Sequence, residues 1–383
     1  MIRDSDIRWW VLEARKHPEC APEIIEQLAA RLIELDAQNE QLRAQLALIQ
    51  SHAQQADGAA ELAEARRQLA ELRRLLADHL ALEPSILLIT RTGEAARLPL
   101  SRVTRIARDG APVLGRPTLA QLWGVLVARP QERLLMLSAG GVGREAAVSM
   151  LPTLEEGVVW PVGGDHAAPP DGPFGRRDPL SAAAVVGEPP RLWTVVTRRG
   201  WVRQHLAAAF ARELATGLPM AISPRARDVP VAIVNGDPGE LMVFTRWGRC
   251  ARFPQRAISA QGDAALELDE DDQVVGALPL ADEGEIVLAT ASGAVMRRST
   301  TQAKARMQPG GPGQPLIQAF DLMAVFLHQP HADLLLLTHS GRLLTHPADL
   351  IPLHERIGKG TPVGQLARDP VIAMALVPRL AAS

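Results

Sequence analysis

The sequence predicts a mainly β protein, six small sheets set as radial blades, behind an α-helical segment that pairs with a second copy. Three observations carry this. After Pro84, six copies of a short motif (Thr or Ser, two residues, then Gly) each follow an apolar run at near-even spacing. The helical hydrophobic period of the first 83 residues stops where those copies begin. Charge divides there too: residues 1–83 hold 10 basic and 15 acidic groups, net −5, and residues 84–383 hold 31 and 28, net +3.

The helical segment comes first. Pro22-Glu23 reads as a helix start, because Pro suits the first turn and acids the positive end of the helix dipole. From there Ile25, Leu28, Leu32, Leu35, Asn39, Leu42, Leu46 and Ile49 step by three and four, an a/d heptad with one polar interruption. A 3.5-residue period makes two helices supercoil around the seam, and a lone Asn at an a position favours a parallel, in-register pair. A parallel homodimer through residues 25–49 is therefore expected. Asp57-Gly58 breaks the pattern, and a second stripe (Leu62, Ala65, Leu69, Leu72, Leu76) folds back as a hairpin or continues after a hinge. Trp9 and Trp10 read as a packing anchor.

The motif copies are Thr90–Gly93, Ser138–Gly141, Thr197–Gly200, Thr245–Gly248, Thr290–Gly293 and Thr338–Gly341. Each is preceded by a strand-like run, such as Ile86–Ile89 or Leu334–Leu337. Gly is needed where a tight hairpin demands positive φ. Arg recurs four residues after the Gly at Arg97, Arg252 and Arg297, and Pro six after it at Pro99, Pro254 and Pro347. A second apolar run closes each unit, as at Val231–Val234, Val274–Leu278 and Val371–Val377. One wide spacing has its cause in residues 162–175, VGGDHAAPPDGPFG, read as a loop insertion. The expected division is a helical segment over 1–83 and six units over 84–383, starting near 84, 132, 190, 239, 284 and 332. An all-strand repeat of this length implies blades around an axis, because stacking neighbours covers both faces of each small sheet and removes long edges.

Composition excludes several classes. At 47% hydrophobic and 22% charged, the 383-residue chain is not wholly disordered. No apolar run approaches the ~18 residues of a membrane helix. The start, MIRDSDIRWW, does not read as a secretion signal. Two cysteines, Cys20 and Cys250, exclude a disulfide framework and fit a reducing cytoplasm. There is no tyrosine, so no tyrosine nucleophile. Neither cofactor nor metal is expected: His328, His331, His339 and His346 cluster around the start of the last unit without a ligand pattern, and the acidic run 267–272 lacks the alternation of a calcium loop. Ala139–Arg144 resembles a phosphate loop but lacks the Lys-Ser/Thr ending and lies on a repeat hairpin. Cys250 reads as a small core residue.

The unit "apolar run, T-x-x-G, x-x-x-R-x-P … D-x-V-V-G", best seen over Gly239–Gly293, resembles the C-terminal domain of the DNA gyrase A subunit and its topoisomerase IV relative. The resemblance spans roughly 84–378. It implies a six-bladed β-pinwheel, closed or spiral, that holds DNA on its outer rim. In that family the domain follows a catalytic region with a DNA-cleaving tyrosine; here a coiled coil stands in that place. The chain thus resembles a detached wrapping domain, non-enzymatic, nucleoid-associated in the cytoplasm, with a gyrase or other topoisomerase as a possible partner. The family's supercoiling members carry a box Q-R-R-G-G-K-G. Its nearest match is the turn His354, Glu355, Arg356, Ile357, Gly358, Lys359, Gly360, degenerate at three positions.

Phosphate binding needs clustered cations. Residues 190–256 hold 11 arginines and 4 acids. From these and the following unit the expected contacts are Arg198, Arg199, Arg203, Arg246, Arg249, Arg252, Arg256, Arg297, Arg298, Lys304 and Arg306, with Arg356 and Lys359 from the box-like turn. Backbone contact and bending, not base readout, is the expected mode on duplex DNA. Against it stands the run Glu267-Leu-Asp-Glu-Asp-Asp272, which repels phosphate. The alternative expectation is a protein-interaction scaffold on a degenerate pinwheel.

Overall fold

A computed structural model describes residues 83–109, 120–154, 173–237, 239–364, 366 and 369–378, and of the N-terminal part 22, 26, 30, 37, 40–48, 67 and 68. The chain falls into two compact units, Met1–Ala81 and Leu82–Ser383. In the first, every described residue is helical. Within 40–48, Leu42 and Leu46 are less exposed than the residues around them. Most of the heptad seam, Asn39, the second stripe and the tryptophan pair lie outside the described residues.

The second unit is built of six small antiparallel sheets. Blade one holds β1 (Ser85–Thr90), β2 (Ala95–Pro99) and β3 (Leu122–Ala128). Blade two holds β4 (Arg133–Ser138), β5 (Gly143–Ala147) and β6 (Leu180–Val186). Blade three holds β7 (Leu192–Thr197), β8 (Trp201–Leu206) and β9 (Pro230–Asn235). The fourth repeat follows with β10 (Glu240–Thr245), β11 (Arg249–Pro254), β12 (Asp263–Ala264) and β13 (Val274–Leu280), of which β10, β11 and β13 are the long strands of blade four. The fifth repeat has β14 (Glu285–Thr290), β15 (Ala294–Ser299), β16 (Gln314–Pro315) and β17 (Leu322–Leu327), and the sixth β18 (Ala332–Thr338), β19 (Leu343–Pro347), β20 (Thr361–Pro362) and β21 (Val371–Pro378), with β14, β15 and β17 the long strands of blade five and β18, β19 and β21 those of blade six. In every blade the first long strand lies between the other two.

The T-x-x-G motif makes each hairpin. The six glycines have φ between 73° and 86°, and each donates its N–H to the carbonyl of the Thr or Ser three residues earlier at 2.9–3.0 Å. The buried hydroxyl of that Thr or Ser accepts the N–H four residues on, from Glu94, Val142, Trp201, Arg249, Ala294 and Arg342 in turn. The register against the third long strand shifts at that same residue in all six blades. The hydroxyl takes that N–H because the carbonyl of the same Thr or Ser already accepts the Gly N–H in the turn.

Side-chain alternation then makes the ring. Successive residues of a strand point to opposite faces. Leu87 and Ile89 pack with Leu134 and Met136 of blade two, whereas Ile86 and Leu88 pack with Leu335 and Leu337 of blade six. Leu135 and Leu137 meet Trp193 and Val195; Val196 and Val202 meet Leu241 and Val243. Met242 and Phe244 meet Ile286 and Leu288, and Val287 and Ala289 meet Leu334 and Leu336. Six shared cores join each blade to both neighbours, and the sixth blade closes on the first. First strands buried on both sides are mostly apolar, which is why they read as apolar runs; the buried Thr194 in blade three satisfies its hydroxyl on Gln255 at 2.6 Å. Each such side chain contributes about 1.5–3 kcal/mol. The third long strands of blades one, four, five and six line a cavity of about 520 Å³, bounded by Val125, Val127, Leu278, Phe326 and Leu376 among others.

Neighbouring blades also exchange backbone. β12 of the fourth repeat pairs with β8 of blade three, β16 of the fifth with β11 of blade four, and β20 of the sixth with β15 of blade five. Each strap thus completes the blade before its own. The all-strand expectation fails at two places. After their second strands, repeats one and three form helices, α1 (Leu100–Asp109) and α2 (Ala207–Thr216). Helix α2 puts Ala207, Phe210 and Leu214 on one face, against the core between blades two and three, and ends at Gly217 in the left-handed region. Of the expected insertion, residues 162–172 lie outside the described residues; Phe174 is buried against Gly93 with the Arg144 guanidinium 4.6 Å above its ring.

Candidate nucleic-acid interface

The site is built on hairpin tips. Because the six blades are equivalent, their tips emerge on one face of the ring, between middle and outer strands. An acidic side chain just before the third long strand holds the tip in five blades. Asp178 accepts the Gly140 N–H at 2.6 Å, Asp228 that of Arg199 at 2.9 Å and Asp272 that of Trp247 at 3.1 Å. Asp321 accepts from Ser292 at 2.9 Å and Asp369 from Ser340 at 2.8 Å. Burial opposes ionisation of Asp369, but hydrogen bonds from Ser340 and Thr338 and the charge of Arg342 outweigh it and hold its carboxyl below the usual value. These aspartates are spent on backbone.

Blade three shows the consequence. Asp228 also accepts the hydroxyls of Thr197 at 2.6 Å and Ser223 at 2.9 Å. Arg198 and Arg199 stand exposed at the tip. Arg225 is exposed, donates to the Arg199 carbonyl, and holds its guanidinium 5.5 Å from the Trp201 ring centroid. Arg227 is exposed with φ 59°, a conformation that side chains seldom adopt. The loop carrying this pair starts on blade two, where the Met220 N–H meets the Gly141 carbonyl at 3.0 Å. Arg203 is half-buried and pins the same loop through the Ala221 carbonyl at 2.9 Å. Arg176 and Arg177, also exposed, precede Asp178 at the blade-two tip. Six exposed arginines thus occupy two adjacent tips whose aspartates are already engaged. Sequence reading missed Arg176, Arg177, Arg225 and Arg227, because nothing in chain order says that the loops before the third strands rise beside the tips.

The other expected cations are placed differently. Arg246 is half-buried, with Nη2 3.5 Å from the Asp271 carbonyl, and Arg249 is paired with Asp269 at 3.0 Å. Arg252, 7% exposed, is buried: it pairs with Glu240 at 2.5 Å and donates to the Thr300 carbonyl at 2.8 Å. Arg297 pairs with Glu285 at 3.1 Å and contacts His328. Arg298, 3% exposed, is buried too, and burial lowers its pKa. Arg252 and Arg298 are therefore inside the blades, and Arg297 is half-buried with its charge paired. The Arg recurring four residues after the Gly pairs, in blades four and five, with a Glu at the start of the first strand. Blade two carries the same pair with its charges exchanged, Arg133 to Glu145 at 2.6 Å.

Arg256 is exposed at the strand end away from the tips. Lys304 is exposed on the strap of the fifth repeat, whereas Arg306 donates to the Gly310 and Pro312 carbonyls of that strap. The box-like turn is the strap over blade five. The His354 N–H meets the Arg297 carbonyl at 2.9 Å, Gln302 donates to the His354 and Glu355 carbonyls at 3.3 Å, and the Gly358 carbonyl accepts from Gln318 at 2.8 Å. Gly360 lies against Val295. Glu355, Arg356, Ile357 and Lys359 are exposed, on a different blade from the arginine cluster.

Among the described residues no group of His, Cys, Asp and Glu is placed to hold a metal, and no helix is long and apolar enough to cross a membrane. Cys250 is buried, and desolvation pushes its thiol above the usual range. His205, desolvated and beside Arg203, titrates at about 4.

No family model and no curated protein matches the chain. Solved structures do. The DNA gyrase A C-terminal domain superposes with a TM-score of 0.62 at 14% identity, covering 77% of this chain and 100% of that one. The C-terminal domain of DNA topoisomerase IV gives 0.55 at 21% identity, covering 77% and 94%. The fold is gyrase A C-terminal domain-like, a β-pinwheel.

Proposed function

We propose that the protein is a non-enzymatic DNA-binding protein that bends or bridges duplex DNA without reading its sequence. The observation that carries this is the set of six exposed arginines on the tips of blades two and three, with the neighbouring Asp178 and Asp228 engaged by backbone. Six exposed guanidiniums against the two carboxylates of Asp178 and Asp228 leave a net positive local field for phosphate. The contact residues we assign are Arg198, Arg199, Arg225 and Arg227, with Arg176 and Arg177 beside them; Arg356 and Lys359 form a separate, smaller cationic point.

The test is fluorescence anisotropy on a short duplex at low salt. Wild type binds at micromolar concentration or tighter, equally on unrelated sequences. Replacing Arg198, Arg199, Arg225 and Arg227 with Ala weakens every sequence alike, by roughly a hundredfold. Unchanged affinity in the variant would rule out this face.

The heptad seam over 25–49 pairs two chains in parallel in this reading, so one particle presents two pinwheels and gains avidity. Light scattering on the full chain should give twice the monomer mass, and a monomer would remove the bridging mode. A gyrase or other topoisomerase is the partner class that the fold suggests, and the nucleoid the expected location. The scaffold alternative draws on Phe320, 75% exposed against the Trp247 ring at 5.8 Å.

A further inference from the structure

The charge of the ring is sectored. Taking the repeats as 84–131, 132–189, 190–238, 239–283, 284–331 and 332–383, their net charges are +5, −4, +4, −5, +2 and +1. The change is equally steep between repeats one and two and between three and four, and at the second of these boundaries the arginine cluster meets the acidic run. Glu267, Asp269, Glu270 and Asp271 are exposed, while Leu268 is half-buried and Asp272 buried.

The run is held rigidly beside the blade-three tip. Just before it, the Ala265 N–H donates to the Gly200 carbonyl at 2.7 Å, and the Glu267 N–H to the Gly311 carbonyl at 2.8 Å. Just after it, the Val274 N–H donates to the Arg198 carbonyl at 2.9 Å. Both anchors on blade three belong to the hairpin that carries Arg198 and Arg199. At the far side Asp272 caps Trp247 of the blade-four tip, Asp269 takes up Arg249, and the Asp271 carbonyl faces Arg246. The run thus stands between two tips and pairs the Arg249 charge of the second.

We propose, resting on the DNA-binding reading above, that the acidic run 267–271 ends the DNA path. A duplex lying on the tips of blades two and three cannot continue onto blade four, because four exposed carboxylates and a neutralised Arg249 meet the next phosphates. The loop that carries these carboxylates is hydrogen-bonded at both ends to the blade-three hairpin, so their field acts on the same phosphates that the tip holds. The protein therefore takes a short duplex segment across one sector and does not wrap DNA around the ring. The acids set footprint length and binding mode, and the arginines supply affinity.

The experiment compares wild type with E267Q/D269N/E270Q/D271N, leaving Asp272 in place, on duplexes from ~12 to ~60 base pairs at low salt, with circular dichroism melting to verify folding. Wild-type affinity rises to a plateau by about 20 base pairs. The neutralised variant binds roughly tenfold tighter and gains affinity to longer lengths. E270Q/D271N, which keeps the Asp269–Arg249 pair, moves the same way by about threefold. On relaxed closed plasmid with a relaxing topoisomerase, wild type leaves linking number unchanged. Identical length dependence in all three proteins, or supercoils constrained by wild type, overturns the inference. If the arginine variants still lose binding in that case, the DNA reading survives it. If neither wild type nor the neutralised protein binds any duplex, both fall.

Discussion

At the scale of single residues, the hairpin hydroxyl and glycine carry the repeat. Thr290 is buried, and its oxygen accepts the Ala294 N–H at 2.9 Å. Thr290→Val keeps the shape and orphans that N–H, so stability should fall by about 1–2 kcal/mol in urea unfolding. Gly248 has φ 73°, and a Cβ there would sit 2.4 Å from the Ile317 carbonyl oxygen of the next repeat's strap. Gly248→Ala combines left-handed strain with a clash against backbone, and should cost about 3 kcal/mol or more. The tip aspartates tie stability to pH. Because the Asp369 carboxyl is held below the ordinary 3.8, its contribution is complete above that value and is lost as pH falls through the lower native one. Asp369→Asn should therefore lower Tm at neutral pH, and the gap from wild type should shrink in strong acid. A pH-independent gap would show that the carboxylate charge is not what holds the tip.

At the scale of elements, the strands were legible and the decorations were not. A T-x-x-G hairpin is a local event, decided by one glycine and one hydroxyl, so it can be read from four residues. The straps are decided by what lies across the interface in the preceding repeat, and chain order does not show it. The same limit misled the reading of recurrent arginines. Four residues after the Gly, Arg252 and Arg297 sit where a strand side chain meets a Glu from the neighbouring strand, and the sequence alone offers a surface cation equally well. Helix α2 escaped notice because ten residues between two strand signals give barely three turns of period. These placements make a separable prediction. Arg252→Ala leaves Glu240 without its closest partner and should lower stability by about 3 kcal/mol. At a temperature where it stays folded, it should bind DNA as wild type does, whereas a parallel loss of affinity would return Arg252 to the interface.

At the scale of the molecule, the same six-fold plan gives a closed frame and an uneven surface. Closure follows from alternation, since every first strand serves two cores and the sixth blade finds its second one on the first. The surface is free to vary because the cores do not depend on it, and the arginines of blade three and the acids of blade four are set on that freedom. The sequence showed both charge groups but not their adjacency, which comes from the loop 265–274 anchoring on the blade-three hairpin.

The most direct check on the account is the salt dependence of duplex binding by the wild-type protein, followed from low to physiological ionic strength. If about four arginines hold phosphates, log K falls against log salt with a slope near −4, and the quadruple Arg→Ala protein loses nearly all of it. A flat line for wild type, or a steep one that survives removal of those arginines, would contradict a phosphate-binding sector on blades two and three.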